Sequence, residues 1–224
     1  MSRTSPQTGL WPVRRLGDVL IRHNEVVHPG ERTGEATFVG LEHIEPNSGR
    51  RFGSMPINLG NLAGRKPTFR RGQIVYGYLR PYLNKVWIAE FDGFSSVDQF
   101  AFDVLPELAD VDYIAAFMRS DTFLQRASIV TTTGQLPRIG IEQIAAVPIQ
   151  LPPVDVQRRI AGELTEQLAA ARSAMQAAAE RLSAAEALPG AFVAAIFRSK
   201  PATLWPRRQL QELIEGSSGQ YGTS

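Results

Sequence analysis

From Val154 to Leu188 the chain holds no proline and a single glycine, Gly162, and nearly every other residue is a strong helix former. Pro152-Pro153 stands just ahead of the run, where a missing N–H leaves no helical bond unmade. Apolar residues recur at Leu164, Leu168, Ala171, Met175, Ala178, Leu182 and Ala185, in alternating steps of four and three. That spacing predicts the seam of a coiled coil. At a rise of about 1.5 Å per residue the helix is on the order of 50 Å long. This exceeds what a small domain can cover, so the seam residues are expected to form a helix–helix interface with a partner helix.

Ahead of the helix, the 150 or so remaining residues have the makings of one domain, and the chain divides in expectation into 1–150, 151–190 and 191–224. A hydrophobic share of 43% and a charged share of 21% are those of a folded globular protein rather than a disordered one. Val13, Leu16, Val19 and Leu20 carry the spacing of a short leading helix over Trp11–Asn24. Strands are predicted at Ala36–Leu41, through Phe69–Leu79 after a turn, at Lys85–Phe91 and at Ser96–Leu105. Pro46–Gly64 reads as a loop, and Asp112–Ser128 has helical spacing. The fold class expected is α+β: a mixed α/β domain with locally paired strands, followed by a long coiled-coil-forming helix. Beyond the helix, Trp205–Ile214 matches Trp11–Leu20 without gaps and with four identities, as though a second repeat were beginning.

The net charge of +2 decides nothing, but its distribution does. No acid occurs between Glu45 and Glu90, whereas Arg50, Arg51, Arg65, Lys66, Arg70, Arg71, Arg80 and Lys85 all fall there. Such a window predicts a basic face suited to nucleic acid, since guanidinium groups fork two hydrogen bonds onto phosphate or guanine. Tyr76, Tyr78 and Tyr82 interleave with these cations and join them as candidate DNA contacts. Gln135 and Arg138 lie in Thr131–Arg138, a second stretch suited to reading bases, because amide and guanidinium groups match adenine and guanine edges. Asn58 and Asn61 are weaker candidates of the same kind.

Catalytic parts are not found. The sequence contains no phosphate-binding G-x-x-x-x-G-K-[ST], no H-E-x-x-H and no G-x-S-x-G. The spacings of His23, His28 and His43 match no usual metal pattern, and cysteine is absent, so no metal, cofactor or catalytic residue is assigned and the chain is expected not to be an enzyme. With no apolar run long enough to span a bilayer and no signal-like start, the expected location is the cytoplasm.

Four stretches taken together resemble the specificity subunit of type I restriction-modification systems: Trp11–Val19, Phe69–Val86, Thr133–Ile139 and Val147–Ile160, in that order. That family is built of two target-recognition domains, each followed by a spacer helix, and this chain is similar to one such half. The resemblance implies a non-catalytic subunit that binds double-stranded DNA and reads one part of a bipartite target. It would direct methyltransferase subunits and a restriction (translocase/endonuclease) subunit to that target, with S-adenosylmethionine on the methyltransferase. It also implies pairing through the spacer helix, as a homodimer or with a second specificity half. The same residues admit a second reading, a helical assembly module whose mixed domain binds protein rather than DNA.

Overall fold

Alternation along three neighbouring strands sets the architecture. Ile74 and Tyr76 turn to one face and Val75 to the other, Phe102 opposes Ala101, and Val86 opposes Trp87, so the sheet they form is buried on both sides. The computed structural model describes residues 11–129 and 136–206. Their strands are β1 (Val13–Arg15), β2 (Leu20–His23), β3 (Val26–Val27), β4 (Glu35–Val39), β5 (Met55–Asn58), β6 (Lys66–Phe69), β7 (Ile74–Gly77), β8 (Val86–Ile88), β9 (Gly93–Ser95), β10 (Gln99–Val104) and β11 (Pro148–Gln150). The α-helices are α1 (Val111–Met118), α2 (Asp121–Ile129), α3 (Ile141–Ala145) and α4 (Val154–Arg198).

Four strands lie in the order β2-β10-β7-β8, five in the order β3-β6-β9-β4-β5, and β1 pairs with β11. All pairings are antiparallel except β4 with β9. Helices α1 to α3 cover one face of the four-stranded sheet, where Ile114, Met118, Phe123 and Ile144 close over Ile74, Tyr76 and Phe102. Phe69 and Trp87, in edge contact at 5.3 Å, fill the other face. Burying each such large side chain contributes about 1.5–3 kcal/mol. Within the five-stranded sheet a side chain on Gly93 would stand 2.7 Å from the Thr37 carbonyl oxygen, so β9 fits between β6 and β4 only as glycine.

The α+β class is as expected, with several corrections of detail. No helix forms over Trp11–Asn24. That segment runs as β1, a 3-10 turn at Leu16–Asp18 and β2, because Leu16, Val19 and Leu20 reach the core from a turn and a strand while the backbone pairs with β11 and β10. Pairing is local for β7 with β8 and remote for β1 with β11 and β2 with β10. The expected loop over Pro46–Gly64 contains β5, hydrogen-bonded to β4. Asp112–Ser128 forms two helices, since the chain breaks at Ser120, whose hydroxyl accepts from the Phe123 N–H at 3.3 Å.

The chain divides into two compact units, Met1–Glu166 and Gln167–Ser224. At the root of α4, within the first unit, Gln157 is fully buried. Its carbonyl accepts from the Asp110 N–H at 2.9 Å, and its amide donates to Leu108 at 3.1 Å and Pro152 at 2.7 Å. The second unit, as far as it is described, is the exposed remainder of α4 and a 3-10 turn at Pro201–Leu204. The helix continues past the expected limit of 190, through Pro189 and Gly190 to Arg198. Of the repeated segment at Trp205–Ile214, only Trp205 and Pro206 are among the described residues.

Candidate nucleic-acid interface

The basic window does not form one uniform face. Several of its cations are spent inside the fold. Arg51 donates to the Gly53 carbonyl at 2.9 Å, pairs with Glu90 at 3.0 Å, and lies over the rings of Phe91 (5.0 Å) and Trp87 (5.7 Å). Lys85 is half-buried with its ammonium on the Leu41 carbonyl, and burial lowers its pKa against the opposing pull of Glu42. Lys66 rests 5.0 Å from the Phe38 ring centroid. Arg70, in the turn between β6 and β7, shares the Glu25 carboxylate with Arg32, at 3.0 and 2.7 Å. Those bonds, Arg70's first, hold Glu25 below the usual carboxylate range. Arg50 meets Glu45 at 4.0 Å, both well exposed, and the exposed Arg71 donates its backbone N–H to Asp92.

Tyr76 is removed from the candidate contacts. It is fully buried against the edge of Phe123, and burial raises its phenol pKa well above the ordinary tyrosine value. A side chain with no exposed surface cannot touch DNA. Gln135 lies outside the described residues. Asn58 accepts from the Gly60 N–H and so caps a turn, while Asn61 is exposed.

Two of the remaining candidates, Arg65 and Tyr78, line a cleft of about 180 Å³ between β2, β10 and the chain leading into β6, with Arg22, His23 and Glu25 also in its wall. Tyr78 stacks on Phe100 at 4.3 Å with the rings 22° apart, and its hydroxyl donates to the Val97 carbonyl at 2.7 Å. Arg22 lies over the other ring, 4.7 Å from the Phe100 centroid. Arg65 lines the same cleft, together with His23, whose Nε2 is 2.9 Å from the Thr68 hydroxyl. Burial, with the Asp98 carboxylate adding to it, raises the Tyr78 pKa against Arg138, Arg22 and Arg65. Arg22, over Phe100, and Arg65, in the cleft wall, are thus gathered with the stacked rings. Arg138 meets Asp98 at 3.8 Å and bridges its backbone to Leu79, and the next residue, Arg80, donates its N–H to the Pro137 carbonyl at 2.8 Å.

Arg80 adopts a left-handed backbone with φ of 52°, and Asn84 another at 45°, bracketing the Pro81–Leu83 turn. This turn leaves Tyr82 55% exposed beside Arg80. Among the described residues, Arg22, Arg65 and Arg80 have no carboxylate within salt-bridge distance. A larger hollow of about 510 Å³ holds Glu25, Glu35 and Asp92 against Arg32 and Arg70, an environment less suited to an anion.

Sequence reasoning missed Arg22, Phe100 and Asp98. Arg22 faces Phe102 across the β2–β10 pair, which puts it diagonal to Phe100, and reading that segment as a helix hid the relation. No group of three or more metal-binding side chains occurs among the described residues, and no described helix is long and apolar enough to cross a membrane. On α4 the seam residues Leu164, Leu168, Ala171, Met175, Ala178, Leu182 and Ala185 are all exposed, Met175 at 73%.

No family model matches the chain. It is 29% identical over 176 residues to the specificity subunit of the type I restriction enzyme EcoDI of Escherichia coli, covering 79% of this chain and 39% of that protein. The HsdS subunit from Thermoanaerobacter tengcongensis superposes with a TM-score of 0.69 at 22% identity, over 88% of this chain and 51% of its own. A chain from a study of complex assembly and conformational transition in a type I R-M system gives a TM-score of 0.72 at 21% identity, over 88% and 52%. The chain thus spans about half the length of the proteins it matches, or less. In sequence the chain is similar to the specificity subunit of a type I restriction enzyme, and in fold to about half of the HsdS subunit and of the type I R-M chain.

Proposed function

We propose that the chain is a non-catalytic DNA-reading module that contributes one half of a bipartite target specificity to a type I restriction-modification complex. The observation that carries this reading is the cleft in which Arg22 and Arg65, without carboxylate partners, flank the stacked Tyr78 and Phe100. Unpaired guanidinium groups on an aromatic platform suit a phosphate backbone and the base edges beside it. Arg80, Arg138 and Tyr82 extend that surface along the neighbouring turn. The catalytic steps fall to partners: a methyltransferase carrying S-adenosylmethionine and a restriction subunit. The module's own part is to bind, orient and set register. Its exposed α4 stripe serves as a spacer that pairs with a second such helix, so that two domains contact two half-sites at a fixed separation.

The test is DNA binding and methylation mapping with the chain assembled on its methyltransferase. Binding should weaken by roughly a thousandfold between 50 and 200 mM salt if about six phosphates are contacted. Methylation should map to a split site. Salt-insensitive association with protein and no DNA preference would instead favour a helical assembly module, the reading that the exposed apolar stripe alone would support.

A further inference from the structure

Gln99 opens β10 and lines the cleft beside Tyr78 and Phe100, itself only 3% exposed. Its Oε1 accepts the Ser96 N–H at 2.8 Å. A backbone N–H is met only by the oxygen of an amide, which fixes the orientation of this one. Nε2 is then left buried with no acceptor among the described residues. Such a donor is costly to the fold, and an acceptor brought in by a ligand recovers that cost. Other polar groups of the wall are already engaged: Glu25 is held by Arg32 and Arg70, and the Thr68 hydroxyl donates to the Glu25 carbonyl at 3.3 Å while meeting His23 Nε2 at 2.9 Å. Alternation puts Gln99 on one face of β10 with Ala101, opposite His23, and puts Phe100 on the other face with Arg22 diagonal to it. Strand β2 ends at His23, and residues of both faces line the one cleft there.

Resting on the DNA-reading role proposed above, we infer that this cleft receives one guanine turned out of the base stack, and that Gln99 is the residue that selects it. A buried donor in the wall of a recess is met by a group that enters the recess, and a base enters only after leaving the stack. Tyr78 and Phe100 give the entering ring aromatic walls, with the guanidinium groups of Arg22 and Arg65 beside them. Guanine carries two acceptors side by side, O6 and N7, whereas adenine sets an amino group next to N7 and cytosine offers an amino group there. The two-bond contact of a glutamine with adenine needs the amide oxygen as acceptor, and in Gln99 that oxygen is taken by Ser96. With only hydrogens left to give, Gln99 and a neighbouring guanidinium fit O6 and N7 together, while thymine answers with O4 alone. The Glu25 carboxylate in the wall disfavours a phosphate in the same place.

Selection from a library of random duplexes by the full chain, followed by sequencing, should return a guanine at one fixed position. Replacing that guanine by 7-deazaguanine, in which a C–H stands for N7, should weaken binding about tenfold. An abasic site opposite the same guanine should tighten binding, because the pair no longer has to be opened. Gln99→Glu keeps an oxygen for Ser96 and turns the free donor into an acceptor, so the selected base should change to cytosine, whose amino group a carboxylate accepts. Indifference to 7-deazaguanine, or a folded Gln99→Glu variant that weakens every sequence alike, would overturn Gln99 as the selecting residue. An abasic partner that leaves affinity unchanged would overturn the entry of an unstacked base. The 7-deazaguanine and abasic arms use the parent chain and decide the matter even where the variant does not fold. A chain that binds no duplex removes the DNA-reading role and this inference with it, whereas one that selects sequences without these dependences removes this inference alone.

Discussion

Arg51 and Arg22 both lie over aromatic rings, yet one is committed to the fold and the other is not. Arg51 is bonded to Gly53 and Glu90 and packed on Trp87 and Phe91, so its charge is already answered. Arg22 has Phe100 beneath it and no carboxylate at hand. An acid-free stretch of sequence therefore says little about which cations face outward, because acids arrive from elsewhere in the chain. Glu90 and Glu25 take up Arg51 and Arg70 of the basic window, whereas Arg22 and Arg65 have no carboxylate at salt-bridge distance among the described residues, although Glu25 lines the same cleft.

If this contrast is right, the double substitution Arg22→Ala/Arg65→Ala should cost about 2 kcal/mol of DNA affinity, roughly thirtyfold, and lower the salt slope by about two units. Thermal stability should hardly change, and equal affinity for variant and parent would mean that Arg22 and Arg65 do not contact DNA. Arg51→Ala should do the opposite: a loss of about 1–2 kcal/mol in denaturant unfolding, with affinity per folded molecule unchanged. Arg80→Gly separates the two effects at one residue. Relief of the left-handed backbone should leave stability unchanged or raise it by up to about 1 kcal/mol, while DNA binding weakens. The smallest effect concerns Glu25. Its pKa is lowered in the folded state, so the stability it adds is present above its unfolded pKa and is lost as pH falls through the folded one. An acid titration should show this loss in the parent, and Arg70→Ala should shift it to higher pH.

What could be read from sequence was what neighbours in sequence decide. The composition of α4 and the Pro152-Pro153 ahead of it fix a helix with no help from the rest of the chain, and the pair β7 and β8 is closed by a short turn. The leading segment misled because Leu16, Val19 and Leu20 carry a helical spacing while their backbone is claimed by β10 and β11, more than 75 residues away. Tertiary pairing overrode local preference there. The cleft was illegible for the same reason: Arg22, Arg65, Tyr78 and Phe100 come together only when β2 and β7 pair with β10. Tyr76 looked like its neighbour Tyr78 in sequence and packs on the same cluster, but Phe123 covers it, whereas Tyr78 is only partly buried, stacked on Phe100.

Gln157 gives the root of α4 a mechanical character. A helix joined to a domain only by apolar contact can roll or slide in its seat, since such contact has little directional preference. Three hydrogen bonds from one buried amide, to Leu108, Asp110 and Pro152, forbid both movements. The first turns of α4 must then rotate with the domain, as a keyed shaft turns with its hub. Torque on the helix would be delivered at the start of α1, through the backbone of Asp110, rather than dissipated at the joint.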